Sequence, residues 1–162
     1  MLRRLIVAFC VLVAAPVSAQ ELSPSALEGR WSGMPVVRAT AVDASCTGEN
    51  CKLVLDITRC GGEWCGVQVG AGQSCGATSL KVRAKKEDPH LPWFEGTLSL
   101  VAGSEPYTIE GNVEKSGEDG TLLFRLNGDT GGEYRVWRRS FPFHITMRRI
   151  AELTCRSERP VS

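Results

Sequence analysis

Cysteines are the residues with the most evident chemistry in this chain. One of the seven, Cys10, lies in an apolar N-terminal run, and the other six follow it. An even number of cysteines in a chain that reaches an oxidising compartment predicts disulfides, and six cysteines allow fifteen pairings. The six are Cys46, Cys51, Cys60, Cys65, Cys75 and Cys155.

Four of these cysteines form two closely spaced pairs. Cys60 and Cys65 flank a glycine-containing turn between two strand-like runs, which predicts a disulfide across a hairpin. Cys46 and Cys51 enclose a similar polar turn, which predicts a second local disulfide. The alternative is a structural zinc site with these four thiolates, although each pair is spaced more widely than in most zinc ribbons.

If both local pairs form, Cys75 remains for Cys155. In the chain-entropy model a short hairpin loop contributes ~2 kcal/mol of stability and a closure of about 80 residues ~4.5 kcal/mol. The long bridge would therefore contribute most.

Histidines and carboxylates give little support for catalysis. Of the two histidines, His90 lies in a predicted loop and His144 on a predicted strand, and neither belongs to a nucleophile or metal-binding motif. No glycine-rich phosphate loop precedes a helix. The sequence therefore predicts a protein that is not an enzyme, with no catalytic residue, metal site or cofactor.

A basic segment near the C-terminus is the candidate binding surface. Arg135, Trp137 and Arg139 share one face of a predicted strand, where forked arginine donors could hold phosphate or carboxylate groups. The alternative is a solvated face balanced by nearby glutamates. Because the chain carries 19 basic and 18 acidic residues, no general attraction to nucleic acid is expected.

The first 19 residues predict a secretory signal peptide. Arg3 and Arg4 precede an apolar run from Leu5 to Ala15, which is shorter than the roughly 20 residues of a spanning helix. The small residues before Gln20 fit signal cleavage. We therefore expect a periplasmic or secreted protein with no transmembrane segment in the mature chain, which acts as a monomer.

The rest of the chain alternates apolar and polar residues in short runs between glycine-rich turns. This pattern predicts an all-β fold, a small antiparallel up-and-down barrel of about eight or nine strands, with a sandwich as the alternative. We expect an N-terminal segment at 20–28, one barrel domain at 29–155 and a disordered tail at 156–162. The predicted strands are Gly29–Val37, Lys52–Thr58, Trp64–Val69, Ser79–Lys85, Phe94–Val101, Tyr107–Val113, Thr121–Leu126, Glu133–Arg138 and Phe143–Ile150.

Two motifs resemble a known family. Gly29-Arg30-Trp31, together with the run from Cys60 to Gly66, is similar to a group of small exported bacterial proteins of uncharacterised function. Those proteins share a Gly-x-Trp motif, a Cys-Gly-x-x-x-Cys-Gly hairpin and a lipocalin-like barrel. The chain departs from them after Gly66, where Val67 to Gly72 replaces a more apolar run. The resemblance implies the fold and names no ligand.

In lipocalin-like barrels a first-strand tryptophan typically closes one end beneath an arginine from the last strands. The resemblance therefore implies that Trp31 is a barrel plug under Arg139 or Arg148, with a plain core position as the alternative. For function, the sequence favours a non-catalytic binding or envelope-associated role with an envelope component or another exported protein as partner. A lipocalin-like carrier of a small apolar molecule and a protein-interaction module such as a protease inhibitor are the alternatives.

Overall fold

A computed structural model describes residues 22–37, 52–85, 92–99, 106–129 and 143–156. These ranges contain short 3₁₀-helices at Pro24–Leu27 and Ala71–Gln73 and no α-helix. Their strands are β1 Gly29–Gly33, β2 Val36–Val37, β3 Leu53–Cys60, β4 Glu63–Val69, β5 Cys75–Lys85, β6 Trp93–Leu98, β7 Tyr107–Lys115, β8 Leu122–Asp129 and β9 Phe143–Ala151.

The strands form a closed antiparallel barrel. Its wall has eight strand positions, because β1 and β2 both pair with β9 and share one position. Consecutive strands from β3 to β9 are hydrogen-bonded neighbours, β3 pairs with β1, and both β1 and β2 pair with β9. Closure leaves no exposed strand edge between β9 and β1, which removes a template for aggregation. The prediction of a small up-and-down barrel is confirmed, and the alternative sandwich is wrong.

Several strands begin or end at other residues than the sequence pattern predicts. The predicted first strand, Gly29–Val37, is interrupted after Gly33, because Pro35 has no N–H with which to continue a ladder. β5 begins at Cys75, four residues earlier than predicted, and β6 ends at Leu98, three residues earlier. The predicted strand Glu133–Arg138 lies outside the described residues.

Alternating side chains fill the interior. Residues on the inner face of the strands, together with Leu27 from the first 3₁₀-helix, form one continuous apolar cluster. Phe124 lies near its middle, with its ring centroid 5.7 Å from that of Trp31 and 5.9 Å from that of Phe94, both in edge-on geometry. The largest fully buried members are Trp31, Trp64, Phe94, Phe124, Leu55, Ile57, Leu80, Leu98, Ile109, Leu126 and Ile145.

Glycines on the inner face allow the wall to bend. A Cβ at Gly96 would overlap the backbone of Lys81 and Val82, and one at Gly66 would lie 2.8 Å from Cβ of Leu80. Such close approach of neighbouring strands is possible only where the inward side chain is absent. These glycines therefore let β4 and β6 approach β5 closely.

Candidate functional site

Two disulfides hold the described part of the chain, as the cysteine spacing predicts. Cys60 and Cys65 are bridged with a Cα–Cα distance of 5.7 Å, and Cys75 and Cys155 with 5.5 Å. The first bridge excludes the four-thiolate zinc site. Within the described residues no group of three metal-binding side chains occurs. Cys46 and Cys51 lie outside the described residues, so their pairing stays a prediction.

The hairpin disulfide joins two residues that do not stand directly opposite each other in the ladder. Cys65 stands opposite Thr58, and Cys60 stands opposite Glu63, so the bridge is diagonal and both cysteines face outward. A register shift follows Gly66 in the pairing of β4 with β5. Val67 faces outward beside Asp56 and is nevertheless only 3% exposed. The outer face of β3 and β4 is therefore covered.

Trp31 is fully buried, and its indole N–H donates to the carbonyl of Leu27 at 2.8 Å. This bond ties the first 3₁₀-helix to the barrel. The predicted stacking of Arg148 on Trp31 is wrong, because Arg148 points outward and its Nη1 lies 3.2 Å from Oδ2 of Asp119. Arg139 lies outside the described residues. The role of Trp31 as a plug stays a proposal.

Arg149, one residue further along, shares the inner face with Trp31 and stands opposite it in the ladder. Its Nε would lie 2.5 Å from a Cβ placed on Gly29, whose φ is +138°. The positive φ favours glycine at position 29, and a side chain there would have to displace the head group of Arg149. These two observations give a physical reason for the Gly-x-Trp motif, in which the first residue leaves room for a last-strand arginine.

A cation–π contact occurs at a different tryptophan. The guanidinium carbon of Arg59 lies 4.2 Å from the ring centroid of Trp64, which is itself 1% exposed. Arg59 continues the inward parity of Leu55 and Ile57 beyond the apolar core. An arginine at that position covers the end of the core while its head group stays exposed to water.

The most strongly buried charges form an ion pair on the outer face of the barrel. Asp56 alternates with the inward residues Leu55 and Ile57, yet it is 0% exposed. Its Oδ1 accepts from Nε of Arg30 at 2.6 Å and its Oδ2 from Nη2 at 2.8 Å, which is bidentate pairing. Oδ2 also accepts from the backbone N–H groups of Thr154 at 2.8 Å and Cys155 at 2.6 Å.

This network sets the ionisation of both groups. Burial by itself raises the pKa of Asp56, but hydrogen bonds from Arg30, Cys155 and Thr154 outweigh it and hold the pKa at about 2, below the usual 3.8. The pKa of Arg30 is raised, chiefly by its hydrogen bond to Asp56. Nη1 of Arg30 also donates to Oε1 of Gln73 at 3.3 Å. Both partners are thus fully charged at neutral pH.

An open polar cleft lies on the outer face of β5, β6 and β7. Its volume is about 440 Å³, and Gly96 forms part of its floor. Thr97 and Thr108 stand opposite each other in neighbouring strands and present hydroxyl groups to the cleft. The charged side chains that line it are Glu63, Lys81, Arg83, Glu95 and Glu110.

Ion pairs order part of this cleft. A guanidinium nitrogen of Arg83 lies 2.6 Å from Oε1 of Glu95, and Nζ of Lys85 lies 3.8 Å from Oε1 of Glu110. Within the described ranges Lys81 and Glu63 form no ion pair. The cleft therefore offers an ammonium group, a carboxylate and two hydroxyls to a hydrogen-bonding partner.

Sequence reasoning selected neither the cleft nor the buried pair. The outward parity of Asp56 was visible in the alternation of β3, but nothing local indicates that the C-terminal residues cover it. His144 lies on β9, as predicted, and is exposed. The predicted anion-binding residues Arg135, Trp137 and Arg139 lie outside the described residues, as do His90 and the signal segment.

Comparison with known proteins adds little. No family model matches the chain, and no curated protein matches it. Among solved structures, the zebrafish ileal bile-acid-binding protein complexed with cholic acid is 14% identical, with 78% of this chain and 100% of that chain covered and a TM-score of 0.34. A similarity of this size carries no argument about a ligand. In the described part of the chain no helix is long and apolar enough to cross a membrane.

Proposed function

We propose that this chain is an exported, non-catalytic binding protein that engages its partner through the outer surface of the barrel. The observation that carries the proposal is the continuous apolar cluster on the inner face, in which Trp31, Phe94 and Phe124 contact one another. A barrel occupied by its own large side chains leaves its outside for recognition. Export is supported by the N-terminal signal pattern and by the two disulfides, which persist in oxidising compartments.

The cleft over β5, β6 and β7 is the surface we assign to this role. Seven of its ten lining residues carry a charged group or a hydroxyl, so it can form ion pairs and hydrogen bonds with the surface of another exported protein. Arg83 and Glu95 are the central charged pair, and Thr97 and Thr108 supply neutral donors and acceptors beside it. A complementary partner presents a negative group toward Arg83 and a positive group toward Glu95.

A double charge reversal tests this assignment. Arg83→Glu together with Glu95→Arg keeps an ion pair between positions 83 and 95. It exchanges the positive and the negative position that a partner meets. The matched control is Glu114→Arg with Arg125→Glu, because Nε of Arg125 lies 2.6 Å from Oε1 of Glu114 in an equivalent pair that does not line the cleft.

Each immobilised protein is used to capture partners from envelope extract, and its melting temperature is measured in parallel. We expect the wild type and the Glu114/Arg125 control to retain the same partner and the Arg83/Glu95 variant to lose it at unchanged stability. Retention of that partner by the cleft variant contradicts the assignment.

A further inference from the structure

We propose that residues 152–156, named here the C-terminal strap, are a redox-controlled cover over the outer face of β1 and β3. In the oxidised protein the Cys75–Cys155 disulfide holds the strap over the Arg30–Asp56 pair. Reduction of this one disulfide by a dithiol releases the strap and exposes the pair, while the barrel stays closed. This device is independent of the proposed function of the cleft.

The strap lies directly on the ion pair and covers part of it, beside Gln73. Arg30 and Asp56 point away from the interior, where strand side chains normally meet water, yet they are 7% and 0% exposed. The N–H groups of Thr154 and Cys155 donate to Oδ2 of Asp56, and the hydroxyl of Thr154 accepts from Nη2 of Arg30. Without the strap, these polar groups would be accessible to solvent.

The strap's own contacts favour docking only weakly. Among its residues only Cys155 is buried, Leu153 is half-buried, and Glu152, Thr154 and Arg156 are exposed. Desolvation of an ion pair offsets much of its Coulombic attraction, so covering the pair does not by itself give strong docking. A segment with few buried apolar contacts detaches readily unless a covalent bond holds it. The disulfide therefore decides whether the strap is docked.

The two cysteines differ in access to a reductant. Cys75 is exposed, whereas Cys155 is 1% exposed. A thiolate of an external dithiol attacks the sulfur of Cys75, the S–S bond breaks, and Cys155 leaves as a thiolate that takes a proton. The second thiol of the reductant then closes its own disulfide and releases Cys75 as a thiol. Two electrons pass from the dithiol to the protein disulfide.

The positions of the two cysteines allow the barrel to stay folded after this step. Cys75 is the first residue of β5, and the strap begins after Ala151, the last residue of β9. Neither cysteine belongs to the inner apolar cluster. The barrel wall from β1 to β9 is therefore complete without the bridge.

Hydrogen exchange in the oxidised and reduced protein tests the proposal. The purified protein is treated with dithiothreitol at pH 8, and alkylation with mass mapping reports which cysteines are reduced. We expect the amides of Thr154 and Cys155 to exchange at least about tenfold faster once Cys75–Cys155 is open. The amides of Leu55 and Leu126, in the barrel wall, lose protection only as far as the lower global stability requires and stay far better protected than those of the strap.

Variants separate the strap from a general effect of reduction. Cys75→Ser with Cys155→Ser should show fast strap exchange without reductant, and Cys60→Ser with Cys65→Ser should leave the strap protected. Strap amides that stay protected after the bridge opens overturn the proposal, and so does a bridge that dithiothreitol cannot open in the folded protein. Barrel-wall amides that exchange as fast as the strap amides also overturn it, because the bridge would then be required for the fold as a whole.

Discussion

Replacement of Asp56 by asparagine should cost about 3 to 5 kcal/mol of unfolding free energy, the usual loss when one partner of a buried ion pair is removed. The pKa of Asp56 gives a separate figure of similar order. The pKa of Asp56 is lowered from 3.8 to about 2, and at 1.36 kcal/mol per pKa unit the folded state favours the ionised form by about 2 kcal/mol. Asparagine loses this preference and also turns an amide N–H₂ group toward donors.

Urea unfolding of the oxidised protein measures this effect, with the slope of the transition as a check that the variant unfolds from the same compact state. Asp119→Asn is the matched control. The pKa of Asp119 is also lowered to about 2, chiefly by the backbone hydrogen bond from Thr121, but Asp119 lies in an exposed turn. The control should change stability little. A loss below about 1 kcal/mol for Asp56→Asn would refute the reasoning, since the pair would then add nothing beyond a surface contact.

Three further predictions concern the pH dependence of stability, the glycine at position 29 and the long disulfide. Because the pKa of Asp56 is lower in the folded state, its contribution to stability is complete above about pH 4 and is lost as the pH falls toward 2. Between these pH values the stability of the wild-type protein should therefore fall more steeply than that of Asp56→Asn. Gly29→Ala should lower the free energy of unfolding by about 1 to 3 kcal/mol, because of the positive φ and the overlap with Arg149. Gly62→Ala is the control, because a Cβ there meets open space, and it should leave stability unchanged. Thermal melts of the two variants test this difference. Cys155→Ser should destabilise more than Cys60→Ser by roughly 1 to 3 kcal/mol in urea unfolding, because its bridge spans 80 residues rather than 5; equal losses would contradict the chain-entropy account.

The fold could be predicted because its causes are local. Alternation in β3, β5 and β7 has period two, and glycine-rich turns limit each connection to antiparallel neighbours, so an antiparallel meander follows. Whether it closes into a barrel or folds into a sandwich depends on the pairing of β1 with β9, which the sequence pattern left open. The Cys60–Cys65 bridge was equally predictable, because five residues of separation across a hairpin keep the two Cα atoms within reach. These inferences needed no knowledge of distant contacts.

The burial of Asp56 could not be predicted, because its cover comes from residues 98 and 99 positions further along the chain. Parity alone placed Asp56 in water. The arginine opposite Trp31 was missed by one residue. The inward parity of Ile145 and Met147 places Arg149 on the inner face, but which residue stands opposite Trp31 depends on the register of β9 against β1, which shifts between Arg30 and Trp31. The cleft was missed because its side chains come from four strands.

The central claim, that the barrel interior is occupied by its own side chains, is tested most directly by titration with an apolar fluorescent probe such as cis-parinaric acid. Phe124→Ala is the matched variant, because it removes a fully buried ring that contacts both Trp31 and Phe94. The account predicts no saturable binding to the wild-type protein and a gain of binding in Phe124→Ala, provided that the variant remains folded by circular dichroism. Stoichiometric binding of the probe by the wild-type protein, displaced by a non-fluorescent fatty acid, would contradict the account and favour a carrier.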